Sequence, residues 1–176
     1  MNTTQIGVGI GVAVLLFWTV GAYNRLVRLR NAILRGFAPV DAQFLVRQGE
    51  LQALCAAHAP PDGEPPAPWL EALQAACRQT DAAHARARAH PGAAVATASL
   101  RLAEDILSDT RSRMPAEATA QAALGDIGTR LAAIDATLAF ARRQFNDTVE
   151  EYNRAVRQFP TWVIASLFSF RCAATL

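Results

Sequence analysis

The chain has 176 residues, a net charge of +2 and an apolar content of 52%. With an N-terminal segment set aside, about 150 residues remain, enough for one domain with a single core. Ala and Leu are abundant and strand-favouring runs are scarce, so the composition favours helices, and the charge is too small to make nucleic acid a partner. Arg supplies nearly all the positive charge, mostly on helical patterns, where it reads as solvated helix faces.

The first element is the uncharged run IGVGIGVAVLLFWTVGA, Ile6 to Ala22. Twenty helical residues rise about 30 Å, the hydrocarbon thickness of a bilayer. A cleaved signal peptide competes, but it would want basic residues ahead of the run and a small-x-small site after it. Residues 1–5 carry no Lys or Arg, and the run leads straight into YNRLVRLR, so an uncleaved anchor is the preferred reading. Arg25, Arg28, Arg30 and Arg35 follow with no acid before Asp41, which places this flank in the cytoplasm and the N-terminus outside. Gly7 and Gly11 form a small-xxx-small pair that reads as ordinary membrane-helix glycine before it reads as a dimerisation face.

Residues 24–57 carry a heptad-like stripe of Ile33, Phe37, Val40, Phe44, Leu51 and Leu54, with Arg47 in the one missing place. Gly36 and Pro39 predict a kink. The proline-rich stretch 59–68 predicts a loop. A weaker stripe over 69–89 (Leu70, Leu73, Cys77, Thr80, Ala83, Ala87) ends at His90-Pro91-Gly92. Residues 93–113 place Val95, Leu102 and Ile106 on one face, and Pro115 closes that piece. The last helix is the strongest: Leu124, Ile127, Leu131, Ile134, Leu138, Ala141, Phe145, Thr148, Tyr152 and Phe159 alternate steps of three and four until Phe159-Pro160.

The expected fold is therefore all-α: an N-terminal transmembrane helix (1–22), an antiparallel four-helix bundle with long first and last helices (23–160) and an apolar tail (161–176). Summing helix lengths puts Tyr152-Asn153 level with Tyr23-Asn24, where YNRLVR and YNRAVR repeat one another. Two readings of that repeat stand: a paired motif where the first and last helices meet, or coincidence. Two also stand for TWVIASLFSF (161–170), which either packs on the bundle end or dips into the membrane interface.

The sequence carries no recognisable catalytic pattern. Cys55, Cys77 and Cys172 are odd in number, widely spaced and without a Cys-x-x-Cys, which speaks against a disulfide framework and fits a reducing compartment. No Glu stands three residues before His58, His84 or His90, as a di-metal bundle would need. The acidic pairs Glu104-Asp105 and Glu150-Glu151 diverge by about 100° on a helix and read as solvated faces. No catalytic residue, metal ligand or cofactor is expected, and the chain reads as a non-enzyme.

Several residues share the pattern of a known family. Tyr23, Asn24, Leu26, Val27, Leu29, Arg30 and Asn31 form Y-N-x-L-V-x-L-R-N directly after the apolar run, followed by Val40, Asp41 and Gln43. Near the end come A-R-R-x-F-N (Ala141, Arg142, Arg143, Phe145, Asn146), then Y-N-x-x-V-x-x-F-P (Tyr152, Asn153, Val156, Phe159, Pro160) and A-x-x-F-x-F (Ala165, Phe168, Phe170). In these blocks the chain resembles the bacterial LemA family. The middle departs: Gly49 to Leu54 lacks the family's proline turn, and RCAATL lacks its aromatic-acidic finish. The resemblance implies an N-out anchor in the inner membrane, a cytoplasmic helical bundle and no known catalytic residues. The expected partners are the lipid bilayer and a membrane or cytoplasmic protein, with a second copy of the chain as a further candidate. The leading function is a structural or interaction protein presenting helix faces. The alternative is an accessory or sensor for envelope stress signalling or membrane proteolysis.

Overall fold

The computed structural model describes residues 3–61, 64–115, 118 and 122–176. It is all-helical among the described residues. The helices are α1 (Thr3–Ala57), α2 (Pro68–Ala89), α3 (Ala94–Ser112), α4 (Ala122–Arg157) and α5 (Thr161–Leu167). The expected anchor and the expected first helix of the body are one helix of 55 residues. It passes Pro39 without a break in its helical run. Pro39 and Arg35 both face solvent, where water can bond the carbonyl that the proline leaves unpaired.

Residues 5–18 of α1 are exposed, and burial begins at Ala22. From there one stripe enters the core: Leu26, Leu29, Ile33, Phe37, Val40, Phe44, Arg47, Leu51 and Leu54. α4 packs antiparallel to α1. Gly36 lies against Thr148, Arg47 beside Asp135, and Glu50 on Arg130.

α2 starts with Pro68 in its first turn, where a missing N–H costs nothing. It and α3 form a hairpin turned by 90–93, with Gly92 at φ +78°. Thr80 Oγ1 donates to Ala76 O at 2.9 Å and reaches Ala103 O across the hairpin at 3.3 Å. This hairpin packs on α1 through α2, while α3 meets α4 through long side chains.

Two stripes differ from expectation. On α3 the buried positions are Ala96, Thr97, Leu100, Ala103 and Leu107, and Val95 and Leu102 are 82% and 59% exposed. The buried face alternates small residues with the fully buried Leu100 and Leu107, and Ile106 is half-buried beside it. On α4, Val149 and Val156 join the buried stripe beside Tyr152 and Ala155, because a straight helix drifts about 20° per heptad from a 3.5-residue repeat and widens the buried face near its end; Phe159 lies beyond the helix end at Arg157 and is exposed. The side chain of Leu124 lies outside the described residues.

The buried side chains form two clusters. The larger joins Ala22 to Phe44 of α1, Ala83 and Ala87, Leu100 and Ala103, Leu138 to Val156 of α4, and Ile164 and Ala165 of α5. The smaller joins Leu51, Leu54, Leu73, Ala76, Leu107, Ile127 and Leu131 at the far end.

Candidate functional site

Between the two clusters lies a layer of charge. Arg47, the odd residue in an otherwise apolar stripe, has a side chain only 6% exposed. It grips Glu104 with both guanidinium nitrogens, one of these bonds measuring 2.8 Å. It also lies 3.6 Å from Asp135 and 4.7 Å from the centre of the Phe44 ring. Arg142 donates to the same Glu104 at 2.7 Å and lies 5.3 Å from that ring, and Arg111 donates to Asp135 at 2.8 Å. Glu104 is thus held by two arginines and is no solvated face, contrary to the sequence expectation; Asp105 beside it is exposed. Arg47 is buried, as its place in the α1 stripe implies. A desolvated ion pair needs its hydrogen-bonding capacity met, and the shared Glu104 carboxylate meets part of it, while Arg142 Nε stays buried without a partner.

His84 sits on the proximal side of this layer. Its ring stacks on Phe44 at 4.5 Å and on Phe37 at 6.3 Å. Its Nε2 lies 3.0 Å from Asp41 Oδ1, yet the two are off line for a hydrogen bond, so each is buried without one. Burial pushes the His84 pKa down, and the nearby Asp41 carboxylate offsets only part of that. Asp41 also meets Arg88 at 3.4 Å. Burial raises the Asp81 pKa, against a bond from Gln48.

A second constellation lies on α4. Asn146 and Asn153, seven residues apart, point the same way and hold residues 173–176. Asn153 Nδ2 donates to Ala173 O at 2.9 Å, and Ala173 N donates back to Oδ1 at 2.8 Å. Asn146 does the same with Leu176, both bonds at 2.8 Å. Each amide side chain therefore pairs with one residue's backbone as a neighbouring strand would. Tyr152 Oη donates to Arg171 O at 2.9 Å, and burial raises the phenol's pKa. Ala174 N donates to Gly92 O at 2.8 Å. A side chain at position 92 would come within 3.0 Å of Ala173 Cβ, so this turn needs glycine for space as well as for its positive φ. A cavity of about 380 Å³ lies beneath the segment, lined by Arg30, Ile33, His90, Tyr152 and Phe170 among others.

The remaining motif residues divide between packing and surface. Leu26 is fully buried, Val27 and Gln43 are half-buried, and Asn24, Arg30, Asn31 and Arg143 are exposed. Tyr23 packs its ring on Phe168 at 4.9 Å and Phe170 at 5.8 Å. Phe159 is 75% exposed and precedes Pro160, which opens α5 through a cis peptide bond. The two YNR repeats do not meet. The Gly36–Thr148 register sets Tyr152 opposite the region of Asn31, about two turns from Tyr23. Asn153 faces the tail while Asn24 faces outward.

Sequence reasoning also missed a pair of thiols. Cys55 and Cys77 face each other across α1 and α2, and their mutual interaction lowers the pKa of Cys55 and raises that of Cys77. The 22-residue separation gave no signal, since only helix packing joins them. Among the described residues no three His, Cys, Asp or Glu side chains converge as a metal site would require.

No curated protein sequence and no solved structure matches the chain. The model of the LemA family matches residues 74–176. That range takes in most of α2, all of α3, α4 and α5, and the segment held by Asn146 and Asn153; the first-helix block at 23–43 lies before it. Since it spans more than half of the 176 residues, the chain belongs to the LemA family.

Proposed function

We propose that the chain is a membrane-anchored interaction protein, not an enzyme, whose helical body works as an antiparallel four-helix bundle and presents helix faces to a protein partner. The observation that carries this reading is the shared helix α1: its first part is apolar and exposed, and its continuation is the central stripe of the body. An 18-residue window of that helix has a mean hydropathy of 2.0 and is only 6% buried. Exposed apolar side chains in a folded chain call for a nonaqueous environment or a partner. Arg25, Arg28, Arg30 and Arg35 follow the run without an intervening acid, which favours an inner-membrane anchor with the body in the cytoplasm.

Outward apolar positions on the body supply the partner-facing surface. Val95 and Leu102 lie two turns apart on one face of α3, and Leu34, Leu45, Val46 and Phe140 are also exposed. An i, i+7 pair of this kind suits docking by another helix. The test is a topology reporter fused after residue 60, followed by affinity capture from mild-detergent membranes with wild type and with Val95→Glu/Leu102→Glu. The expected result is a cytoplasmic reporter and a co-purifying protein lost in the variant. A reporter outside the inner membrane, or identical captured material from both chains, overturns it.

A further inference from the structure

The proximal end of the molecule carries a second apolar surface, distinct from the anchor run. α5 buries Thr161, and places Ile164 and Ala165 in the same cluster as Ala22 and Leu26. Its other side is open: Trp162 and Val163 are about half exposed and Leu167 is 72% exposed. Phe159 before it and Phe168 after it are exposed as well. Five large apolar side chains gathered within ten residues form an unusual surface for a helix standing in water.

Its position identifies what covers it. Ala22 is where α1 passes from exposed apolar residues to packed ones, and Tyr23 next to it touches Phe168 ring to ring. The open side of α5 therefore lies at the level where the apolar run of α1 ends. The charge of this end is predominantly positive, with Glu150 and Glu151 the nearest acids on α4. Arg25, Arg28, Arg30, Arg154, Arg157 and Arg171 are exposed, and neither 1–40 nor 152–176 contains an Asp or Glu. Trp and Phe flanked by arginines is the composition suited to the boundary between acyl chains and anionic headgroups.

We infer that Phe159, Trp162, Val163, Leu167 and Phe168 insert into the headgroup–acyl boundary of the bilayer that α1 crosses, so that the body rests on the membrane at a second point. This rests on the anchored reading proposed above. A second copy or a protein partner over the same patch is the competing occupant.

The test uses the full chain in vesicles of phosphatidylcholine and phosphatidylglycerol, with lipids spin-labelled either near the headgroup or deep in the acyl chain. Three single-tryptophan chains are compared. One retains Trp162, one retains Trp69 at the start of α2, and the third, the anchor reporter, carries Ile10→Trp with all native tryptophans changed to Phe. Expected is several-fold stronger quenching of Trp162 than of Trp69 by the shallow label, and quenching of the anchor reporter by the deep label. Quenching of the anchor reporter with Trp162 no more quenched than Trp69 overturns the second contact and leaves the anchor standing. No quenching of either the anchor reporter or Trp162 overturns both. Trp162 shielded from lipid labels and from aqueous iodide alike means a protein covers the patch, which also overturns it.

Discussion

The two ends of the body are built differently. The proximal cluster interlocks aromatic rings, with Phe37 edge-on to Phe145 at 5.7 Å, and is closed by a peptide segment bonded to Asn146, Asn153, Tyr152 and Gly92. The distal cluster is mostly Leu and Ile, with the thiols of Cys55 and Cys77 at its edge and no comparable segment across it among the described residues. Arg47 and Glu104 lie between them. One end is fixed by shape and by directional bonds, whereas the other is held mainly by nonspecific apolar contact. Such contact tolerates substitution more readily than interlocking does. The proximal end is therefore where rigidity and motif residues coincide.

The comparison breaks hardest at Phe145. Phe145→Ala removes a fully buried ring and should cost about 3–5 kcal/mol in denaturant unfolding, toward the top of that range, against about 2–5 kcal/mol and the lower part of it for Leu131→Ala at the distal end. Equal losses would mean that the two ends are packed alike. Next comes the charged layer. Glu104→Ala strands the buried Arg47 and should cost about 3 kcal/mol, while the double change Arg47→Met/Glu104→Leu should restore much of it. No recovery in the double variant would show that the layer stabilises by more than mutual neutralisation.

Asn153→Ala should cost about 1–2 kcal/mol, and its more telling readout is local. The Ala173 amide, which donates to Asn153, should exchange its hydrogen much faster than in wild type, while amides around Leu54 and Leu131 remain unchanged. Gly92→Ala should loosen the same segment by collision with Ala173. The smallest effect is that of pH. His84 has a folded-state pKa below its ordinary 6.5, so the unfolded chain binds the proton first as pH falls. Its stabilising contribution is complete above about pH 6.5 and declines below it. Thermal unfolding between pH 5 and 8 should show this slope reduced in His84→Gln, and an unaltered slope would assign it to other groups.

Much of this architecture was legible in the residues. Every position of the α1 stripe from Ile33 to Leu54, Arg47 included, is buried, because heptad spacing reports a face whatever lies opposite. Helix ends were marked by proline and glycine, as at Pro68 and Gly92. The face of α3 was not legible, since hydrophobicity ranks Val95 and Leu102 above Ala96 and Ala103 while the smaller pair is the one buried. The partners of Glu104 and of Asn153 were hidden for another reason. Both are set by tertiary proximity across 57 and 20 residues, which no local pattern encodes. The motif spacing did mark Asn146 and Asn153, but as members of a pattern and not as the grip on a backbone.

The unbroken α1 has a mechanical consequence. With 55 residues in one helix, no loop separates the apolar end from the tip of the body, and the one missing backbone bond within it is at Pro39. The stretch from Ala22 to Ala57 is roughly 50 Å long, so a change of about 10° in the inclination of its base would swing the tip by roughly 9 Å. Lipid thickness, or a neighbour leaning on the base, would thus be read at the far end as a lever reads a small displacement near its fulcrum.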